Sequence, residues 1–469
     1  MFFGREDLIE RLEGLFRKRT ASLVTCRGRR RVGKSTLIET FAERAGARFI
    51  KIEGVKPQSK LDNAKELENF AAKLAAQTRC DSSVPDNWLN AFLRLDDQIR
   101  DDGRTVVLLD EISWMGYYDP AFPETFKIAW DNLFKRHPRL VVVLCGSVSS
   151  WIRENIVDNG AFAGRRSLDL VVRELPLREC ARFWGAAAER TDPREILDVL
   201  SVTGGVPRYL EEIDPALSAS ENIRRMAFLP NGILAADFED IFRDAFNREP
   251  GIRADILRAL CNGPKNVSGV ARALGVEKGG RVSSSLDQLE EAGFVSSDPG
   301  LNPFTGESVQ QKRYRLSDNY ARFYLRYIER SLGMIERGSF AFASLEQLPG
   351  WETILGLAFE NLVVNNFREI LPRLGLDRTV LLSAAPFRGG GVQVDLLLQT
   401  RRTLYLVEVK RRSEIGRGIV AEMDRKVRQF ARQRGPSIRT ALVYDGRLHP
   451  SIEADGAFDF LVNVRDFLS

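Results

Sequence analysis

The stretch that most constrains this chain is Gly28-Arg29-Arg30-Arg31-Val32-Gly33-Lys34-Ser35. A short β-like run, Ser22–Cys26, precedes it, and a helical pattern through Leu37, Ile38 and Phe41 follows. Glycine at each end lets main-chain N–H groups turn inward around phosphate oxygens. A lysine then adds a point charge, a serine offers its hydroxyl to Mg²⁺, and the helix N-terminus adds its dipole. Strand, glycine loop and helix open an α/β unit. The sequence therefore predicts that Gly28 to Ser35, with Thr36 behind them, hold a nucleotide's phosphates, with Ser35 on the metal.

Such a site needs an acidic strand end. Val106–Leu109 is a wholly apolar run that ends in Asp110-Glu111. Asp110 is expected to hold Mg²⁺ through water, and Glu111 to polarise the attacking water. A further apolar run, Leu140–Leu144, ends in Cys-Gly-Ser147, which places Ser147 near the γ-phosphate or that water. Runs apolar throughout suit central parallel strands covered on both faces, so residues 1 to about 170 read as a parallel α/β layer, with the acidic strand expected to neighbour the strand that precedes the loop.

The chain has 469 residues, 44% of them hydrophobic. At roughly 150 residues per domain that predicts about three domains. Five cysteines without a C-x-x-C pair argue against a disulfide framework or zinc ribbon and fit a reducing cytoplasm. Two histidines exclude a His-rich metal site. No run approaches the ~18 apolar residues that span a bilayer, and the opening Met-Phe-Phe-Gly-Arg-Glu-Asp is charged where a signal peptide is apolar. The expectation is a cytoplasmic protein with no membrane partner. Net charge is +5, but Arg401–Arg439 alone carries twelve Lys/Arg against four Asp/Glu, a local excess that can attract a polyanion.

Residues 175–245 read as helical. Residues 252–316 read as three short helices and a hairpin, a helix-turn-helix with a wing whose turn-rich loop is Pro299–Ser308. Arg281, Ser283, Ser284, Ser285 and Gln288 would face a DNA groove, with Lys312, Arg313 and Arg315 on the wing for phosphate contacts. From Trp351 the order is helix, three strands (Val380–Ser383, Val392–Leu398, Thr403–Val409), a helical stripe of Ile419, Met423, Val427 and Phe430, and a strand at Thr440–Tyr444.

Four residues of this last part carry chemistry: Glu360, Asp395, Glu408 and Lys410. Glu408 and Lys410, two apart on a strand, share a face. Asp395 among apolar strand neighbours is costly unless compensated. An Mg²⁺ shared by Asp395 and Glu408 would compensate both, with Lys410 on the attacking water and Glu360 completing the metal shell.

Two resemblances follow from these motifs. The opening Phe3-Gly-Arg-Glu-Asp, the loop Gly28–Ser35, Leu-Leu-Asp110-Glu111-Ile, Cys-Gly-Ser147 and Gly204-Gly-Val-Pro-Arg-Tyr-Leu210 together resemble the archaeal-type ATPases, AAA+-like P-loop proteins related to the STAND class. That resemblance covers about residues 1–250. It implies a helical lid near the nucleotide, with Arg208 sensing the γ-phosphate and Arg165 or Arg166 serving as an arginine finger, which makes a homo-oligomer plausible. The C-terminal residues resemble the PD-(D/E)XK nuclease superfamily, although Val394 stands where that pattern has proline. This implies a restriction-endonuclease-like α/β fold with Gln429 facing the site. The expected organisation is a P-loop ATPase core at 1–174, a helical lid at 175–248, a winged helix and connector at 249–345 and a nuclease-like domain at 346–469. The function expected is an ATP- and Mg²⁺-dependent switch coupled to DNA, with the C-terminal domain either a nuclease or a catalytically inactive scaffold.

Overall fold

In the computed structural model, all residues are described except 1, 59–60, 148, 247–250, 278, 298–301, 304–306, 308–311, 342–343, 390, 432–434 and 469. The chain divides into two units, Met1–Glu174 with Ile241–Glu249, and Leu175–Asp240 with Pro250–Ser469.

In the first unit, five described strands form a parallel sheet: β1 (Ser22–Arg27), β2 (Arg48–Glu53), β3 (Thr105–Asp110), β4 (Leu140–Gly146) and β5 (Arg166–Val171), in the order β2-β3-β4-β1-β5. β3 and β4 are buried along their whole length, as their apolar runs require. One layer of core packs the helix Lys34–Arg44 through Leu37, Ile38 and Phe41. The other packs Phe70, Trp88, Phe92, Phe122 and Phe126, whose rings meet mostly edge to face. Two expectations are corrected. The acidic strand is not next to β1, because β4 lies between them. Moreover, β5 was unread as a strand, since its sequence Arg-Ser-Leu-Asp-Leu-Val mixes charge with apolar residues at the sheet's edge.

In the second unit, the helices Gly251–Leu260, Val267–Leu274 and Gly280–Glu291 accompany a small sheet of β6 (Lys265–Asn266, between the first two helices), β7 (Val295–Ser297) and β8 (Arg313–Leu316) in the order β6-β8-β7. Most of the expected loop Pro299–Ser308 lies outside the described residues. A mixed sheet follows: β9 (Ser383–Gly389), β10 (Val392–Gln399), β11 (Thr403–Ile415), β12 (Ser437–Leu448) and β13 (Phe460–Asn463), ordered β13-β12-β11-β10-β9. The first of its strands starts at Ser383, so Val380–Leu382 is not strand; Val380 is exposed. Residues 175–240, expected as part of a separate lid, share one core with this sheet: Leu197 and Leu200 cluster with Phe359, Leu396 and Val407. A buried ion pair adds to that seam. Arg411 of β11 donates to Asp198 at 2.7 Å and to Ser201 at 3.1 Å, both on the helix Pro193–Thr203, and pairs with Asp445 of β12 at 3.0 Å.

Candidate functional site

The phosphate loop is shaped by its main chain. Gly28 has φ 149°, Arg31 φ 70° and Gly33 φ 81°, a run of conformations that turns N–H groups to one side. A Cβ on Gly28 would stand 2.2 Å from the Val172 carbonyl oxygen. Val32 is buried, Arg29 pairs with Glu174 at 3.6 Å, Arg30 and Arg31 are half-buried, and Thr36 is exposed on the helix behind. Lys34 is buried, and its Nζ donates to the Gly28 and Arg29 carbonyls at 2.9 and 3.1 Å. Arg5, from the opening motif, donates to the Arg173 carbonyl at 2.9 Å and to Gly33 at 3.4 Å, bracing the loop from outside.

Opposite the loop, Ser35 Oγ donates to Asp110 Oδ2 at 2.6 Å. Lys51 of β2 lies 3.6 Å from Asp110 and 2.9 Å from Glu39. Glu111 sits in the left-handed region at φ 48°, and its Oε2 accepts from the Ser147 N–H at 3.0 Å and the Ser147 hydroxyl at 2.9 Å. The structure thus joins Ser35 to Asp110, and Glu111 to Ser147, at the carboxyl ends of β3 and β4. Across the intervening β4, the contact is made by Ser35 itself, while Ser147 after β4 holds Glu111. A hydroxyl and a carboxylate in contact are hard oxygen donors that suit Mg²⁺.

Arg165 and Arg166 stand elsewhere. Arg166 is in register with Leu23, five residues before Gly28, or about 16 Å at the rise of a strand. Arg165 binds Asp131 through two hydrogen bonds of 2.8 and 2.9 Å and holds that carboxyl below its usual range. Arg166 donates to the Val157 carbonyl at 2.9 Å. Arg165 is therefore not in the phosphate site of its own chain, because it precedes the amino end of β5, at the opposite end of the strands from the loop that follows β1. Arg208 pairs with Glu212 at 2.7 Å and Glu211 at 3.6 Å, one turn along its own segment.

The second unit gathers a second site. Asp395 lies where β10 slips its register against β9, between Val394 and Leu397. Such irregularities re-aim a side chain. Its Oδ2 accepts from the Val409 N–H at 3.0 Å. Glu408 of β11 is buried; Lys410 donates to its Oε1 at 2.8 Å and Lys426 to its Oε2. These residues line a pocket of about 420 Å³ together with Arg425 and Gln429. Burial, then the neighbouring Asp395, pushes the Glu408 carboxyl up to about 7. Burial, then Glu360, pushes Asp395 up as well. Burial works to lower Lys410, but Glu408 and Asp395 outweigh it and hold the ammonium above its ordinary value.

Glu360 departs from expectation. Its carboxyl, raised by burial, feels Arg315, Arg322 and Lys410, and it does not line the pocket with Asp395 and Glu408. Among the described residues no three Asp, Glu, His or Cys gather as a metal site. The expected three-carboxylate shell is thus a pair, Asp395 and Glu408. Two carboxylates are a donor set that fits Mg²⁺, which keeps several waters.

Lys426 was not foreseen. It lies on the buried stripe Ile419, Met423, Lys426, Phe430 of the helix Gly418–Ala431, next to Val427, which packs half-buried against the same core as expected. The signal was a lysine falling at i, i+4, i+7, i+11 among apolar residues.

The wing is also corrected. Arg315 is buried and donates to Asn361 and Asn365 at 2.8 Å each, and Arg313 donates to the Pro264 carbonyl at 3.2 Å. Gln288 is held by Arg253 at 2.9 Å, and Ser285 is buried. Arg281, Ser284 and Lys312 remain exposed, and Ser283 is half-buried.

Comparison with known proteins matches this geometry to known families. Residues 2–213 match the model of an ATPase domain predominantly from Archaea. They carry an ATPase domain of the archaeal type. Residues 251–297 match the model of bacterial regulatory proteins of the arsR family, which makes the small unit a winged helix of that type. An uncharacterized protein of Methanocaldococcus jannaschii is 24% identical over 418 residues, 87% of either chain. A Walker-type ATPase of Pyrococcus abyssi aligns with a TM-score of 0.52 at 17% identity, over 69% of this chain and 96% of its own. The ORC2 protein of Aeropyrum pernix, in a structure of ADPNP and ADP complexes, aligns over 71% of this chain and 94% of its own at 17% identity with a TM-score of 0.44. Among the described residues no helix is long and apolar enough to cross a membrane.

Proposed function

We propose that this chain is an ATP-hydrolysing switch that acts on DNA. The observation that carries the reading is the 2.6 Å contact of Ser35 with Asp110 beside a loop whose main chain is already turned. An Mg²⁺ at that contact would neutralise charge on the β- and γ-phosphates. The loop from Gly28 to Ser35 binds the phosphates, and Lys34 exchanges two carbonyl partners for phosphate oxygens. Glu111 orients water, and Ser147 holds Glu111 until it does. Arg165 is a finger for a neighbouring copy, a role its distance from its own loop supports, and Arg208 serves the lid. Lys34→Ala is expected to weaken ATP binding at least 100-fold in a fluorescent-nucleotide titration. Wild-type affinity in that variant removes the nucleotide site from this reading.

The DNA half rests on the arsR-type winged helix, the exposed Arg281 and the basic segment Arg401–Arg439. The C-terminal pocket is assigned to Mg²⁺-dependent cleavage of a phosphodiester: Asp395 and Glu408 hold the ion, and Lys410 holds the attacking water. Plasmid nicking with Mg²⁺ is expected, and it should vanish in Asp395→Ala and in Lys410→Ala. Nicking that survives in both excludes the site. One observation favours a second reading, a binding protein with an inactive C-terminal unit. Both oxygens of Glu408 already carry an ammonium. On that reading, wild type leaves the plasmid intact and still shifts it on a gel.

A further inference from the structure

A lysine on the buried stripe of a helix is costly unless its charge has a use. Lys426 is nearly inaccessible, with 6% of its side chain exposed, and its ammonium lies between two carboxylates. One is Glu408, whose other oxygen is held by Lys410 at 2.8 Å. The second is Glu422, one turn back on the same helix at 3.0 Å, with 36% of its side chain exposed. Each oxygen of Glu408 therefore carries an ammonium, while Asp395 accepts from the Val409 N–H and feels Lys410 and Lys426 through space. A divalent ion shared by Asp395 and Glu408 requires a Glu408 oxygen free of ammonium, since like charges at one carboxylate repel strongly in a buried pocket. Glu422, already 3.0 Å from the same ammonium, is a second seat that can keep the lysine when Glu408 is taken by an ion.

We propose that Lys426 is a positioning residue that acts as the pocket's resident cation: it neutralises Glu408 while no divalent ion is bound, and it gives up Glu408 and is kept by Glu422 alone when one binds between Asp395 and Glu408. The inference rests on the reading of this pocket as a metal-dependent phosphodiester site, and it concerns how that site is regulated. Competition from Lys426 keeps the metal affinity low in the free protein. A bound phosphodiester, whose oxygens accept from the displaced ammonium, raises it.

The test is Mn²⁺ binding to the full-length, nucleotide-free protein, followed by electron paramagnetic resonance of the free ion. Asp395→Asn identifies the component that belongs to this pocket. Lys426→Met is expected to bind Mn²⁺ at least tenfold more tightly than wild type. Glu422→Gln, which removes the second seat, is expected to bind several-fold more weakly. Arg425→Met removes one positive charge from the same wall and is expected to shift affinity less than threefold. A short non-cleavable oligonucleotide should tighten Mn²⁺ binding in wild type and leave Lys426→Met unchanged.

A purely structural Lys426 would loosen the pocket when lost, so unchanged or weaker binding in Lys426→Met overturns the proposal. An Arg425→Met effect as large as that of Lys426→Met overturns it too, since general electrostatics would then suffice. Should Lys426→Met fail to fold, Glu422→Gln decides, and equal or tighter binding there is contrary. Mn²⁺ binding that depends on Asp395 but ignores Lys426 and Glu422 defeats this inference alone. No component lost in Asp395→Asn defeats the metal site itself and the inference with it.

Discussion

The phosphate loop and the C-terminal pocket each bury a lysine, Lys34 and Lys426, yet they are organised by different means. In the loop the main chain does the shaping. Three residues with positive φ fix the curve, and Lys34 rests on two carbonyls rather than on an acid. In the pocket the main chain is strand and helix with one slip of register at Asp395, and side-chain charge does most of the shaping. Glu408 carries two ammonium groups, and Asp395 leans on the Val409 N–H. The first arrangement is held open for an anion by conformation. The second holds its own charges closed until something else supplies a cation. A change of shape without charge should therefore hurt the loop most, and a change of charge without shape should separate buried carboxylates by whether they hold a partner.

The largest expected effect tests shape. Gly28→Ala adds one methyl group at φ 149° and 2.2 Å from the Val172 carbonyl oxygen. That carbonyl is main chain of the segment whose N–H bonds Arg27 at 2.8 Å, so it cannot rotate away as a side chain would. The loop or the end of β5 must shift, at a cost of about 2–4 kcal/mol. Thermal unfolding should show the first unit melting earlier, and nucleotide binding should be lost with no charge removed. Full ATP affinity in a Gly28→Ala protein would mean that the curve of this loop is not what grips phosphate.

The same contrast explains what the sequence made legible. Gly28 to Ser35 lie together in the chain, so the loop could be read as a motif. Asp110, Glu111 and Ser147 were readable because each ends an apolar strand. That β4 intervenes between β1 and β3 was not readable, because strand order is set by packing and not by local pattern. The pocket was half visible. Glu408 and Lys410 share a face by simple alternation, and Asp395 stood out as a charge among apolar neighbours. Lys426 was hidden because its helix was read by its apolar residues alone, and Glu360, near enough to raise the Asp395 carboxyl, stays out of the pocket lining, a placement set by packing and not by local pattern. Arg315 misled for a similar reason. A basic residue on a wing strand looks like a phosphate contact until Asn361 and Asn365, some fifty residues away, are brought against it. Charge was easy to count and hard to place.

The smallest effect tests charge alone, and it sets Glu66 against Glu408. Glu66, on the helix Asn63–Thr78, is 2% exposed, and its two oxygens accept from the Val55 N–H at 3.2 and 3.1 Å. Burial pushes its carboxyl up to about 7, near the value reached by Glu408. A carboxyl raised in the folded state takes up a proton on folding. The stability it contributes is complete below about 4.5 and is lost as pH rises through about 7. Glutamine keeps the shape and an acceptor for the Val55 N–H but never ionises. Glu66→Gln is therefore expected to match wild type near pH 4.5 and to melt a few degrees higher, roughly 2–6 °C, at pH 8. Glu408→Gln should go the other way at pH 8. It strips the charge that compensates both Lys410 and Lys426, and an ammonium left buried without its carboxylate costs more than the carboxylate's own desolvation. Differential scanning calorimetry of the two variants at both pH values reads the sign directly. If both melted higher at pH 8, the two lysines would contribute nothing to holding Glu408, and the distinction between a site shaped by main chain and one shaped by paired charge would fail at its second half.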